Sequence, residues 1–406
     1  MPHTPDSNAQ TTLPLTFFDL LWLRFPPTQR LFFYKFSCPE TTLIDTILPK
    51  LKHSLSVTLQ HYIPLAGKLT WPLDSDKPIV QYNEGDAVSL TVAESEANFY
   101  QLSGNSFREA KELHHFLPYL LASQTRVPVM ALQITLFPNA GFCVGYAANH
   151  AVIDGKSIAM FMHSWASICK RDGESTLSRE LTPIYDRTVV KDPSDLEKAY
   201  LNSWPADNGS NERSLEFQGH ESSNGCDVRH IPIDKSKHRE YQEVGGSHMA
   251  RETYRGETSI SSINFCNNKC LHMGCIIDAD TNKCMEEDGV AIAAWIIAEA
   301  IRGLDDGVLK GAKEFIPNVF SRLKEDGLVS SIAGSPRFEL YKIDFGWGRP
   351  SKVEMVSIDK SGAFYLSDSR EGNGGVEIGV VLKKHETEAF ASLFASGLEN
   401  HQVQKS

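Results

Sequence analysis

A histidine and an aspartate four residues apart, followed at once by a glycine, are the residues of this chain best placed to move a proton. They stand in His150-Ala151-Val152-Ile153-Asp154-Gly155. An imidazole titrates near neutrality, so it can take a proton from a hydroxyl and hand it to a leaving group. The carboxylate has two possible uses. It can orient the ring, as in a catalytic triad, or cap the helix that follows. The spacing alone decides little, because a chain with 14 histidines meets it by chance. A second group, Asp344-Phe345-Gly346-Trp347-Gly348, joins a carboxylate to two aromatic rings and two glycines. A third gathers Cys266, Cys270, Cys275 and Cys284 around His272. Its spacings do not form paired C-x-x-C units, so no metal is expected there.

The elements around His150 give the first group weight. Gly141 to Asn149 is an apolar run long enough for a buried strand and short for a helix. Ile158, Phe161, Met162, Trp165 and Ile168 recur at helical spacing and define one buried face. Gly155 suits a sharp turn, since glycine tolerates backbone angles that other residues avoid. The histidine is therefore expected where a buried strand emerges, on a rigid support.

Further strands are expected at Arg30–Phe36, Ile79–Tyr82, Val88–Val92 and Val127–Phe137, the last forming a hairpin with 141–149 around Pro138-Asn139-Ala140. Leu51, Leu55 and Leu59 mark a helix that Pro49 opens and Pro64 stops. From Ala206 to Met273 the composition turns polar and no periodicity appears, so this stretch reads as a linker. Order returns with a largely apolar helix over 285–304. Strands follow at 338–343, 352–358, 364–366 and 376–382, then a terminal helix from His385. The pattern is mixed α/β.

Composition narrows the function. A chain of 406 residues with 41% hydrophobic and 22% charged residues is an ordinary globular protein. The net charge of -11 argues against a nucleic-acid binder, which needs a basic face to meet phosphates. No apolar stretch is long enough to cross a bilayer, and Met1 to Leu13 lacks the core of a secretory signal. Scattered cysteines, with Cys38, Cys143 and Cys169 in apolar segments, fit reduced thiols and a cytoplasmic setting.

Taken in order, His150-x-x-x-Asp154-Gly155 and Asp344-Phe345-Gly346-Trp347-Gly348 resemble the signatures of the plant BAHD acyl-CoA-dependent acyltransferases. Leu15–Leu23 and Tyr62-Ile63-Pro64-Leu65-Ala66-Gly67-Lys68-Leu69 resemble the same family. The run from Ala333-Gly334-Ser335-Pro336-Arg337-Phe338 to Glu377-Ile378-Gly379-Val380 is similar to its anthocyanin, flavonoid and phenolic glucoside malonyltransferase branch. The resemblance implies an α/β, two-domain, chloramphenicol acetyltransferase-like architecture: mixed sheets with flanking helices and a channel between the domains. The expected division is 1–190, a crossover and atypical segment over 191–274, and 275–406.

The resemblance also implies a reaction. A monomer would transfer an acyl group, malonyl first among the donors, from acyl-CoA to a hydroxyl of a phenolic or flavonoid glucoside. Hydroxycinnamoyl-CoA is the alternative donor. His150 would be the general base, with no acyl-enzyme, no metal and no cofactor beyond the acyl-CoA co-substrate. Asp154 and Gly155 would hold the turn, Asp154 through an arginine. Asp344, Gly346, Trp347 and Gly348 would be structural and remote from acyl transfer, with Asp344 paired to an arginine. Arg179 and Arg187 are candidates for the malonyl carboxylate, and Lys156 and Lys352 for the CoA phosphates; the plain alternative for all four is a solvated surface.

One region departs from the pattern. Where this branch usually carries Tyr-Phe-Gly-Asn-Cys, the chain reads Leu271-His272-Met273-Gly274-Cys275. An Arg-x-Arg-x-x-Pro-Pro segment is missing between Ala206 and Met273, and Arg251 or Arg255 would have to replace its arginine. The middle is thus expected to be shortened or rearranged. That leaves a second possibility, a paralog that binds acyl-CoA or a phenolic glycoside without turnover.

Overall fold

The computed structural model describes residues 11–105, 108–121, 123, 125–192, 194–204, 213–217, 226–233, 279–284, 286, 288–303, 307, 309–322, 331–360 and 363–403. Three sheets carry the fold among these residues. The central one runs β12 (Lys352–Met355), β2 (Thr28–Lys35), β9 (Gly141–Ala148), β8 (Met130–Phe137) and β5 (Ser89–Glu94). A second runs β11 (Ile332–Gly334), β13 (Phe364–Asp368), β14 (Val376–Lys383), β10 (Cys226–Ile233) and β6 (Arg108–Glu109). A smaller one holds β1 (Thr11–Pro14), β4 (Ile79–Tyr82), β3 (Lys68–Thr70) and β7 (Arg126–Pro128).

β8 and β9 form the predicted hairpin, with Phe137 opposite Gly141 and Met130 opposite Ala148. Every residue of both strands is buried, so both faces of the sheet are covered and the sequence is apolar without alternation. On one face Phe33, Phe99, Phe116 and Phe137 pack edge to face or tilted. On the other, Tyr34 stacks on Phe142 at 4.9 Å and meets Phe345 edge-on at 5.4 Å.

Helix α3 (Gly155–Lys170) presents the five predicted apolar residues, all buried, and packs against α2 (Leu48–His61). Its Trp165 donates from Nε1 to the Leu51 carbonyl at 3.1 Å and meets Phe345 at 4.9 Å. Ser164 and Tyr62 join hydroxyls at 2.9 Å. The buried stripe of α3 is thereby fixed against both α2 and the 345 region. Its first turn cannot rotate without breaking these contacts.

The two halves of the chain exchange strands. β12, from the second half, pairs antiparallel with β2, and β6, from the first half, pairs with β10. Buried charges accompany the exchange. Arg108 Nη2 lies 3.0 Å from Glu354 Oε1, with both side chains almost fully buried. Lys352 is fully buried and reaches Asn105 Oδ1 at 3.1 Å and Glu377 Oε2 at 3.7 Å. The Tyr341 hydroxyl donates to Glu377 Oε2 at 2.8 Å. Burial pulls the Lys352 pKa down, and the carboxylates of Glu354 and Glu377 act in the opposite direction. Breaking one partner of such a set is expensive, because the other stays buried and unpaired.

Two expectations change. The apolar run Phe338–Ile343 is not a strand; it forms two short 3₁₀ turns, Pro336–Phe338 and Leu340–Lys342, joined by Glu339 at φ +51. Asp368 holds them by accepting from the N–H groups of Leu340 and Tyr341 at 2.9 and 3.1 Å. Second, the supposed linker contains β10, which pairs with β14 from Cys226↔Lys383 to Ile233↔Val376. A strand with Pro232 inside it and polar sequence around it leaves no periodicity to read. The remainder of 234–273 lies outside the described residues. The expected apolar helix is present as α5 (Gly289–Gly303), with Trp295, Ile297 and Ile301 exposed.

Gly141 opens β9 at φ +152, and a Cβ there would stand 2.0 Å from the Tyr34 carbonyl oxygen. Backbone cannot yield as a side-chain tip can. Gly141→Ala is expected to cost about 3 kcal/mol, read as a lowered midpoint in urea unfolding followed by tryptophan fluorescence.

Candidate active site

The turn that carries His150 is built from backbone hydrogen bonds. After β9 ends at Ala148, the Asn149 N–H donates to Val129 at 2.8 Å. The Asn149 carbonyl accepts from Val152 and Ile153 at 3.0 and 3.1 Å, and its side-chain oxygen accepts from the Ala151 N–H at 3.0 Å. Asn149 is fully buried, while His150 is half-buried. The imidazole lies flat on the indole of Trp22, with centroids 4.3 Å apart and planes 11° from parallel.

Asp154 caps α3. It has extended backbone angles, is buried, and accepts from the Ser157 N–H at 2.7 Å. A buried carboxylate at a helix start is favoured by the dipole and the unpaired N–H groups there. Gly155 needs to be glycine for a different reason from the one its sequence suggests. A Cβ at this position would stand 2.9 Å from Phe338 Cε2, and its backbone is not in the left-handed region. The residue is there to admit the Phe338 ring. About two turns further on, His163 Nε2–H donates to the Phe338 carbonyl at 3.1 Å. Burial lowers the His163 pKa, which keeps that ring neutral and already engaged.

Arg187 sits by this turn rather than on the surface. Its Nη1 lies 3.9 Å from Asp19 Oδ2, and its side chain is mostly buried. Burial pulls its pKa down against the fields of Asp19, Tyr185 and Asp154. Asp19 lies on the short helix α1 (Phe17–Leu20) and also accepts from the Thr16 N–H and hydroxyl at 2.7 and 2.8 Å. Arg187 thus supplies an arginine charge near Asp154 that the sequence reading sought between 206 and 273. Arg251 and Arg255 lie outside the described residues, as do Cys266, Cys270, His272 and Cys275. Arg179 is exposed on a 3₁₀ turn, Arg179–Leu181, and Lys156 is half-buried on the first turn of α3. Lys352 cannot meet a CoA phosphate from the surface, because it is fully buried in β12 among Asn105 and Glu377.

Asp344-Phe345-Gly346-Trp347-Gly348 lies at the other end of β9. Trp347 meets Phe142 at 6.0 Å, and Phe142 is eight residues from His150 along an extended strand, roughly 25 Å. Asp344 pairs with a lysine and not with the expected arginine: Lys170 Nζ is 2.6 Å away, at the last residue of α3. Asp344 also accepts from the N–H groups of Gly346 and Gly348 at 2.8 and 3.0 Å. Both glycines have φ above +100, which disfavours any side chain. Burial works against ionisation of Asp344, but Lys170 and the two N–H groups outweigh it and hold its pKa below the ordinary value. The motif closes the far end of α3, while Asp154 closes the near end.

The sequence missed Trp22 as a neighbour of the histidine. It belongs to an apolar segment, and no spacing marks one aromatic residue there as the one that reaches position 150.

Comparisons with known proteins bear on the family and the fold. The family model described as "Transferase family" matches residues 2–269 and 280–396. Phenolic glucoside malonyltransferase 1 of Arabidopsis thaliana is 36% identical over 465 residues, covering 98% of this chain and 96% of that protein. Malonyl-CoA:anthocyanidin 5-O-glucoside-6''-O-malonyltransferase of Arabidopsis thaliana is also 36% identical, with the same coverage over 439 residues. Among solved structures, vinorine synthase superposes with a TM-score of 0.62 at 18% identity, over 95% of this chain and 94% of that one. The family match and these relatives together make the chain an acyl-CoA-dependent O-acyltransferase. The chain belongs to the Transferase family, the BAHD acyltransferases. The alignment of 465 residues is longer than the chain's 406, so the chain lacks residues that this relative has.

Two substitutions test the supports of α3. Because the Asp344 pKa is depressed in the fold, its contribution is full above the unfolded carboxyl value and is lost as pH falls through the folded one. Asp344→Asn should cost about 1–2 kcal/mol at pH 7 and progressively less below pH ~4, measured by urea unfolding at each pH. Gly155→Ala should cost about 1–3 kcal/mol by displacing Phe338, and Phe338→Leu in the same chain should return part of that loss.

Proposed function

We propose that the protein transfers a malonyl group from malonyl-CoA to a sugar hydroxyl of a phenolic or flavonoid glucoside, anthocyanins included. The observation that carries this reading is His150, half-buried on a hydrogen-bonded turn between a buried strand and a capped helix. The malonyl donor and glucoside acceptor are taken from the names of the two malonyltransferases reported above. His150 takes the proton of the acceptor hydroxyl as the oxygen attacks the thioester carbonyl. The tetrahedral centre then collapses, the C–S bond breaks, and the proton passes to the departing CoA thiolate. Two half-transfers through an acyl-enzyme are unnecessary, because both substrates meet at one base. Asp154 keeps the turn in place as a helix cap. The protein acts as a monomer in the cytoplasm, and its partners are acyl-CoA and the phenolic glycoside.

The donor carboxylate would need a cation. Arg187 is committed to Asp19 and the field of Asp154, which weakens its case, and Arg179 is exposed. Hydroxycinnamoyl-CoA, which carries no such carboxylate, is the alternative donor. A second reading rests on the middle of the chain. The family match is interrupted over 270–279, and the largely apolar α5 leaves Trp295 exposed. A paralog that binds acyl-CoA or a phenolic glycoside without turnover fits those two facts.

Purified protein given malonyl-CoA and a panel of phenolic and flavonoid glucosides should release free CoA thiol. His150→Ala should lower kcat by about 10²–10⁴-fold. Full turnover by that variant would remove His150 from the reaction. Ligand binding by calorimetry with no thiol release from the wild type would favour the non-catalytic reading.

A further inference from the structure

We propose that Trp22 is a positioning residue for the reacting imidazole: its indole face holds the His150 ring and stabilises the imidazolium formed when the acceptor gives up its proton. The inference rests on the reading of His150 as the general base. It begins from the flat stack at 4.3 Å and 11°. An indole has the most electron-rich face among the side chains, and a cation over that face is attracted more strongly than a neutral ring. The stack is therefore worth more after proton transfer than before it. That is the condition for an interaction to lower a barrier rather than merely to hold a group.

The residue that carries the indole is held by its backbone and its ring neighbours. The Trp22 backbone N–H donates to the Asp19 carbonyl at 3.0 Å, and the Trp22 carbonyl accepts from the Phe25 N–H at 3.1 Å. Phe25 packs on Trp22 at 5.0 Å and meets Trp204 edge-on at 5.5 Å. Trp204 is anchored by donating from Nε1 to the Leu20 carbonyl at 3.1 Å. It then meets Phe320 of the helix α6 (Phe315–Arg322) at 5.7 Å. A row of rings thus runs from His150 to a helix of the second half.

The segment formed by α1 and the turn after it meets the histidine region twice. Trp22, just after α1, covers the His150 ring, while Asp19 on α1 meets Arg187, whose charge is felt at Asp154. The charged groups gathered at the turn are Asp154 on the histidine's own segment, Asp19 on α1 and Arg187 on the loop after α3. Asp154 is occupied by the Ser157 N–H, and Asp19 by Thr16 and Arg187. The indole adds to this set an interaction that acts on the ring face and needs no further charge.

The test reads the His150 titration directly, so that it does not depend on turnover. Protein carrying ¹³C-labelled histidine is titrated by NMR, with the His150 resonance assigned by its loss in His150→Gln. Trp22→Leu should lower the His150 pKa by about half a unit, and Trp22→Phe by less. Replacing tryptophan by mono-, di- and trifluorotryptophan keeps the shape, withdraws density from the ring face, and should lower the pKa in steps. With malonyl-CoA and a flavonoid glucoside as substrates, the acid limb of kcat/KM should move the same way. The kcat of Trp22→Leu should fall about three- to thirtyfold.

A Trp22 that served packing alone would lower the melting temperature and leave the His150 titration where it was. An unchanged titration in Trp22→Phe and across the fluorotryptophan series overturns the proposal, even if Trp22→Leu fails to fold. Turnover surviving in His150→Gln would instead overturn the assignment of the base, leaving the stack and its effect on the titration intact.

Discussion

The site depends on the termination of one strand. β9 is buried on both faces, yet it must deliver its next two residues to a place where one ring can meet substrate. The chain does this by burying Asn149 and the residues from Ala151 to Asp154 on either side of His150, and by spending the backbone and side-chain acceptors of Asn149 on the turn. His150 then emerges half-buried, and Asp154 closes the turn by capping α3. A ring on a flexible loop would lose its orientation in most conformations. One fixed between a strand and a helix does not, and orientation is a large part of what a protein contributes to a proton transfer.

The helix that begins at Asp154 has its position set at both ends. Phe338 presses on Gly155 at the start, and Asp344 takes Lys170 at the finish. Both contacts come from the second half of the chain, as does β12, which completes the central sheet. The placement of His150 is therefore a property of the two halves together. The buried set of Arg108, Glu354, Lys352, Glu377 and Tyr341 does the same at the strand exchange. Such groups are poor sources of net stability, but they punish any register other than the one that pairs them.

What could be read from the sequence divides along physical lines. The β8–β9 hairpin, α3 and the histidine between them were legible, because unbroken apolar runs and a 3.6-residue period survive without knowledge of neighbours. Glycine at 155 was legible as a special position but not for its reason, since the Phe338 ring that needs the space lies 183 residues on. The 338–343 run misled because its apolar residues are buried by turns that Asp368 organises from another strand. β10 was invisible, because its mixed polar sequence carries Pro232 and its strand pairing comes from the distant β14 and β6. Lys352 looked like a surface cation because nothing local reveals that β12 is inserted beside β2. Trp22 escaped, and the contact of Arg187 with Asp19 was not foreseen, for the same cause: these contacts span 128 and 168 residues of chain.

The central claim is that His150 is the group that meets the acceptor hydroxyl. The most direct measurement is a crystal structure of the protein with CoA and an unreacted phenolic glucoside bound together. The account predicts the reacting sugar hydroxyl within about 2.6–3.2 Å of a His150 ring nitrogen, or joined to it through one water, with the CoA sulfur on the far side of that oxygen. A complex in which both ligands are ordered and the hydroxyl lies against another side chain, with His150 remote from it, would contradict it.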